Sequence, residues 1–467
     1  MKKLNIVTCL MLTIFLFSSC ATYYQKSYEF QGQFAQGNLE QAQAFLLKQK
    51  KAEEKKDRLL YFLDRGVVEQ MLGNYEVSNE YFEKAYLYNQ NYQSNFGSDL
   101  LSTFANPMLK PYKAEDFELV LINYYKAINY IQLNKLDAAL VEIRRINISL
   151  NELNDRYGEK KNRYKEDAFA LNLMGIVYEA KGEYNDAFIA YRNAFEAYQN
   201  IYAKDFNVQP PQQLKVDLLR MAKVNGFKTD LARYEKDFGM VAELKQANEG
   251  DLVFFWLNGL GPVKSEFSLN LVSTGNGGGG FVFANAEQGF SIPFIPPVNN
   301  NNQQGIEKVK VVRLAIPKYQ TRKPLVNQAY LEVNNQKVNL EKVEDINSIA
   351  YAALQDRMLR ELGKSVSRLV VKQATEMLAR EKSEDLGALV SVLNAVTEKA
   401  DTRNWQTLPN SIYYERITLP ADSHAVKLVT KGQQIPSQTL DFKVVIKPNK
   451  TTFRTFHSLE STPPFEQ

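Results

Sequence analysis

The 467-residue chain is poor in the residues that carry much of protein chemistry, with two cysteines, two histidines and two tryptophans. Cys9 and Cys20 both lie in the first twenty residues, so the body of the chain holds no thiol. His424 and His457 fall in strand-like stretches near the C-terminus, and HExxH, CxxC and GxSxG are all absent. Zinc hydrolysis and cysteine nucleophilic chemistry therefore lack their usual parts, and no catalytic residue or metal ligand is assigned. A pair of carboxylates could still cleave a glycan, but 53 acidic residues single out no pair. Beyond the N-terminus no apolar run reaches 18 residues, so no spanning helix is expected. Lys+Arg is 57 against 53 for Asp+Glu, and without Lys2 and Lys3 the balance is 55 − 53 = +2. That near-neutrality points away from nucleic acid. The densest charged run, "LLKQKKAEEKK", interleaves acids and reads as a solvated helix face. "TGNGGGG" is followed by aromatics rather than Lys-Ser/Thr, so no nucleotide site or other cofactor is expected.

What is present begins with "MKKLNIVTCLMLTIFLFSSC". Two lysines, an apolar stretch from Leu4 to Phe17 and the small pair Ser18-Ser19 have the layout of a secretory signal segment over residues 1–19. The stretch is too short to cross a bilayer core, which needs roughly 20 residues. A cysteine directly after two small residues resembles a bacterial lipobox, which implies acylation of Cys20, with Phe17 a departure from the commoner leucine. The alternative is an ordinary cleaved signal with a chance cysteine. Lipidation also accounts for a lone thiol in an exported chain, and acyl chains add about 0.8 kcal/mol per buried CH₂ to the anchor. By resemblance to lipoprotein sorting signals, Ala21 in place of aspartate implies the outer membrane, and "ATYYQKSYEF" lacks the acidic cluster of surface-exported forms. The body is then expected to face the periplasm.

The first half repeats. "RLLYFLDRGVVEQMLGNYEVSNEYFEKAYLYNQ", "LVLINYYKAINYIQLNKLDAALVEIRRI" and "AFALNLMGIVYEAKGEYNDAFIAYRNAFEAY" place small and aromatic residues at shared offsets around Gly73, Asn134 and Gly182. This resembles the tetratricopeptide repeat (TPR), a helical hairpin of about 34 residues. A weaker copy, "QFAQGNLEQAQAFLL", centres on Gly37, and a last helical pair is expected behind Pro210-Pro211 with its turn at Asn225-Gly226. Most repeated tyrosines and alanines are expected to be core. The concave face of such arrays is where partners bind. Helical spacing places Asn172, Ile176 and Glu179 there from the third full repeat, Tyr124, Ile128 and Ile131 from the second, and Leu63, Val67 and Gln70 from the first. Neighbouring helices could bury them instead.

From Glu249 the pattern turns strand-like. "DLVFFWLN" is a short apolar run, "SEFSLNLVS" alternates, and "AYLEVNNQKVNL" reads as a hairpin turning at Asn334-Asn335. The Gly/Asn-rich segment 274–305 carries Phe281, Phe283, Phe290 and Phe294, and reads as a disordered insertion or as an apolar-tipped hairpin. The expected fold class is multidomain α+β. An all-α TPR-like solenoid over 20–248 precedes a β-rich region over 249–345, a helical section over 346–400 and a C-terminal β-sheet or sandwich module over 401–467. Trp405 and Leu408 are expected to plug the junction before that module, with Asp401 and Arg403 as a fixing ion pair.

"EDFELVLINYYKAINYIQLNKLDAALVEIRR", "WLNGLGPVKSEF", "IPKY" and "EKADTRNWQTLPNSIYYERITLP" together resemble a family of bacterial TPR-containing envelope lipoproteins of unassigned activity. The resemblance implies anchor, repeats and envelope location, and transfers no catalytic residue. The function expected is a lipid-anchored scaffold that holds another envelope protein or peptide in the solenoid's concave face. The alternative is a cell-wall-directed enzyme or glycan-binding lipoprotein that works through the β-rich half.

Overall fold

The computed structural model describes residues 23–96, 108, 110–158, 162–273, 281–285, 290–294, 311–358, 400–433 and 435–464. The signal segment, Cys20 and positions 359–399 of the helical section lie outside them.

Ten helices form five antiparallel hairpins among the described residues. They are α1 Tyr28–Ala35 with α2 Leu39–Lys48, α3 Arg58–Met71 with α4 Tyr75–Phe96, and α5 Asp116–Gln132 with α6 Leu136–Tyr157. Then come α7 Ala168–Lys181 with α8 Tyr184–Ala197, and α9 Gln212–Val224 with α10 Lys228–Phe238. One device makes all five turns: Gly37, Gly73, Asn134, Gly182 and Gly226 each take a left-handed backbone, with φ between 55° and 83°. After α7 the next two amides return to the helix, Gly182 N–H to the Glu179 carbonyl and Glu183 N–H to the Tyr178 carbonyl, both 2.9 Å. Asn134 fills the glycine role because asparagine tolerates that region better than other side chains do. Within a hairpin the helices cross closely. A Cβ on Gly175 would stand 2.4 Å from the Tyr191 ring, and one on Gly66 2.6 Å from Phe82.

The β-half holds twelve described strands. β1 Glu249–Asn258 and β9 Ser411–Pro420 pair antiparallel, with β8 Glu341–Asp345 and β12 Thr451–Ser458 outside them, in the order β12-β1-β9-β8. A second sheet runs β11 Gln438–Val445, β10 Ser423–Gly432, β6 Val326–Val333, β7 Gln336–Asn339. The third has the order β4-β3-β2-β5, from β4 Phe290–Phe294, β3 Phe281–Asn285, β2 Val263–Ser273 and β5 Val311–Gln320. The phenylalanine segments of the Gly/Asn-rich stretch are thus strands of a hairpin; the rest of 274–305 lies outside the described residues. A helix α11 spans 346–358.

The final four strands do not form a module of their own, in contrast to the expected unit 401–467. β9 and β12 flank β1, while β10 and β11 extend the sheet of β6 and β7. The reason lies in β1, whose apolar run faces two ways. Leu252, Phe254 and Trp256 enter a core between the first two sheets with Leu331, Val333, Leu428 and Val444. Val253, Phe255 and Leu257 belong to the helical core. A strand buried on both faces must be apolar throughout, and β1 needs partners from the chain's end to bury it. The result is three layers, with solenoid, inner sheet and outer sheet stacked in that order.

Candidate functional site

The nine residues placed on the concave face by helical spacing are all buried. Tyr124, Ile128 and Ile131 are at most 3% exposed, and Asn172, Ile176 and Glu179 at most 5%. Leu63, Val67 and Gln70 are likewise inside. What covers this face is the chain's own second half. Phe169 bridges Tyr124 and Phe255 at ring separations of 5.6 and 6.0 Å, and Gln132 donates to the Thr455 hydroxyl at 3.0 Å. The expectation of an open groove is therefore corrected. Burial of the nine is shared between sheet and helices: Glu179 meets Arg416 of β9 at 3.1 Å, while Gln70 donates to Asn129 of a neighbouring helix at 2.9 Å.

At the α7–α9 end the seam is ionic. Arg416, on the solenoid face of β9, is 1% exposed at its side chain. It donates to Asp251 at 2.8 Å and the Tyr191 hydroxyl at 2.9 Å, and stands 3.1 Å from Glu179 and 3.3 Å from Asp217. Arg220 on α9 grips Glu179 through two donors at 3.0 and 2.9 Å and reaches Asp217 at 2.6 Å. Lys245 donates to Asp251 at 2.7 Å. Three cations thus face three anions. Burial alone would raise the Glu179 carboxyl, but Arg416, Arg220 and Lys245 hold it far below the usual carboxylate range, and Asp251 is lowered in the same way. Such a network contributes orientation more than net stability, because desolvation offsets the attraction.

At the other end the segment 400–410 runs buried between the first hairpins and the sheets. Arg403 pairs with Asp401 and Asp57, both at 2.7 Å, and donates to the Lys110 carbonyl. Trp405 packs on Phe82 and Tyr125 at 5.9 and 5.5 Å, and its amide donates to Glu118 at 2.8 Å. The ion pair expected at the junction is real but serves a different joint, clamping the chain to the solenoid. Lys264 and Arg357 pair with Glu115, and against the upward pull of burial they hold its carboxyl at about 2. Asp64 accepts from the Thr407 hydroxyl at 2.9 Å, and burial pushes it up to about 7. Asp167 and Glu344 are buried together, each raised first by desolvation, and tyrosine hydroxyls serve both. No group of three or more potential metal ligands occurs among the described residues. His424 is tied to the Pro420 carbonyl at 2.8 Å and to Asn334 at 3.2 Å.

A cleft of about 630 Å³ stays open where the hairpin turns meet the β11–β12 loop. Asn134 and Lys181 line it from the helices, and Lys447, Lys450, Thr452 and Arg454 from the strands. Lys181 is held by Asp137 at 2.5 Å and Glu183 at 2.6 Å, while Lys447, Lys450 and Arg454 are exposed. β12 is the terminal strand of its sheet. The Lys450 and Ser458 carbonyls point inward to the Asp251 and Gly259 amides, so the intervening odd-numbered residues turn their backbone groups outward along this edge. Of the cleft's lining, sequence reasoning singled out Ile131 as a partner-contact candidate and Asn134 as a turn residue; it missed Lys181, Lys447, Lys450, Thr452 and Arg454, and also Arg220, Lys245, Asp251 and Arg416. The signal available was charge inside an apolar strand, Asp251 before "LVFFW" and the adjacent Glu415 and Arg416 in "YYERITL".

Fold and seam together define an array of helical hairpins closed over its own β-sandwich. No family model matches the chain, and no curated protein matches it. Among solved structures MamA is similar at 16% identity and a TM-score of 0.29, over 47% of this chain and 93% of its own. The apo form of RapI is similar at 15% and 0.34, over 46% and 68%. A Rap conjugation gene regulator in complex with a Phr peptide is similar at 19% and 0.28, over 46% and 54%.

Proposed function

We propose that the chain is a protein-interaction scaffold of the bacterial envelope, tethered to the outer membrane through acylated Cys20 and facing the periplasm. Its partner is an acidic, extended segment of another envelope protein, taken in the cleft beside β12. The observation that carries this is the division of surfaces. The inner face is spent on the chain's own sheet, while the cleft at its mouth is cationic and bordered by an outward-turned strand edge. Extended peptides pair with such edges through backbone hydrogen bonds, and side charges select among them. No catalytic step is assigned.

The test is a photo-crosslinking residue at Thr452 in cells, with and without the exposed cations through Lys447→Glu/Lys450→Glu. A discrete adduct with an envelope protein that the double variant loses, at unchanged melting temperature, supports the proposal. An adduct indifferent to both reversals refutes the cleft. Retention of the wild type, but not of the double variant, on purified peptidoglycan would put a glycan in place of the protein partner.

A further inference from the structure

We infer that the open end of the α1–α2 hairpin is a membrane-facing surface that lies on anionic phospholipid headgroups. This rests on the tether reading above. Only Ala21 and Thr22 separate Cys20 from Tyr23, the first described residue, and three Cα steps span at most about 11 Å. That reach is at most about one and a half times the roughly 8 Å Debye length at physiological ionic strength, so charges at this end stay within range of a partly screened lipid surface potential. An acylated Cys20 therefore leaves the body no freedom to stand off from the leaflet.

The surface at this end is built for that position. Tyr28 opens α1 and Leu47 lies near the close of α2, and the hairpin brings both to the end away from the Gly37 turn. Tyr28 is 67% exposed and Leu47 50%. Tyrosine and leucine flanked by lysines are the side chains that seat at a headgroup boundary. The run 48–58 carries six cations and three acids. Of these, Asp57 is committed to Arg403, the Lys56 ammonium to the Met108 carbonyl, and Arg58 to the Glu54 and Lys55 carbonyls. Lys48, Lys50, Lys51 and Lys55 are exposed, and none forms an ion pair among the described residues. Lys48, Lys51 and Lys55 border a cleft of about 490 Å³ floored by Phe30, Phe45 and Tyr61. An anionic leaflet supplies the missing counter-charge and covers the exposed apolar pair in one contact.

The test uses the full-length acylated protein in nanodiscs of either phosphatidylglycerol or phosphatidylcholine, labelled with a water-soluble amine reagent and read by mass spectrometry. Lys48, Lys51 and Lys55 are expected to react about fivefold more slowly on phosphatidylglycerol. Lys447 and Lys450, beside the hairpin turns, serve as the reference and should react alike on both. Equal rates for the first group on both lipids, or equal slowing of both groups, overturn the inference. The same spectra report the mass at Cys20. An acyl-free terminus refutes the tether by itself, whereas an acylated terminus with indifferent lysines refutes only the orientation.

Discussion

Replacing Arg416 with alanine is the sharpest perturbation of the seam between the two halves. The guanidinium touches Asp251, Glu179, Asp217 and the Tyr191 hydroxyl, and its side chain is 1% exposed. Without it, Arg220 and Lys245 are left against three buried carboxylates, an uncompensated negative charge in low dielectric. Breaking a buried pair from one side costs about 3–5 kcal/mol, against roughly 0–1 for an exposed pair. The control is Arg454→Ala at the exposed cleft. Urea unfolding followed by circular dichroism at pH 7 should show the larger loss for Arg416→Ala. The pH dependence adds a second readout. In the wild type Glu179 and Asp251 have depressed folded pKa values, so their contribution is present above the unfolded carboxylate pKa of about 4. It is lost as pH falls through the folded values. In the variant the depression shrinks, so the gap between variant and wild type holds from about pH 7 to about 4 and narrows as pH falls below about 4. An Arg416→Ala protein no less stable than Arg454→Ala, or a gap that does not narrow, refutes the account of the seam.

Asp64 gives the opposite sign. Its folded pKa is raised to about 7, so the folded state binds the extra proton and stability falls as pH rises from about 4 to about 7. Asp64→Asn keeps an acceptor for Thr407 and should flatten that slope, gaining up to about 4 kcal/mol at pH 8, read by denaturant titration across pH. Gly175→Ala puts a methyl 2.4 Å from the Tyr191 ring and should cost about 1–3 kcal/mol, measured as a lowered melting temperature. Trp405→Ala empties a site 1% exposed between Phe82 and Tyr125 and should cost about 3–5 kcal/mol by urea titration, with amides of α4 and α5 exchanging faster.

The solenoid was legible because its signals are local. A left-handed turn residue at Gly37, Gly73, Asn134, Gly182 or Gly226 is decided within five residues of chain, and the small-against-aromatic crossings repeat at fixed offsets. The inner sheet was not, because nothing near "DLVFFWLN" says which segments flank it. β9 pairs with β1 from more than 150 residues away, and β12 from 200. The run's unbroken hydrophobicity did report burial on both faces. Read with that in mind, it says that helices lie on one side and a second sheet on the other. The residues assigned to the concave face are buried, and a partner-binding face and a face covered within the same chain have the same composition. Asp64 and Glu118, inside helices, gave no sign of their raised pKa values, since burial raises them and the segment that reaches their carboxylates, with Thr407 and Trp405, lies more than 280 residues downstream.

The parallel pairing of β12 with β1 sets an order of events for biosynthesis. Of the described strands, the last to leave the ribosome is the one that seals the first strand of the sheet. Until it arrives, the helices present an uncovered greasy interior and β1 an open flank. A nascent or truncated chain ending before Thr451 therefore depends on chaperones to escape clumping. Synthesis of β12 is itself the step that closes that side.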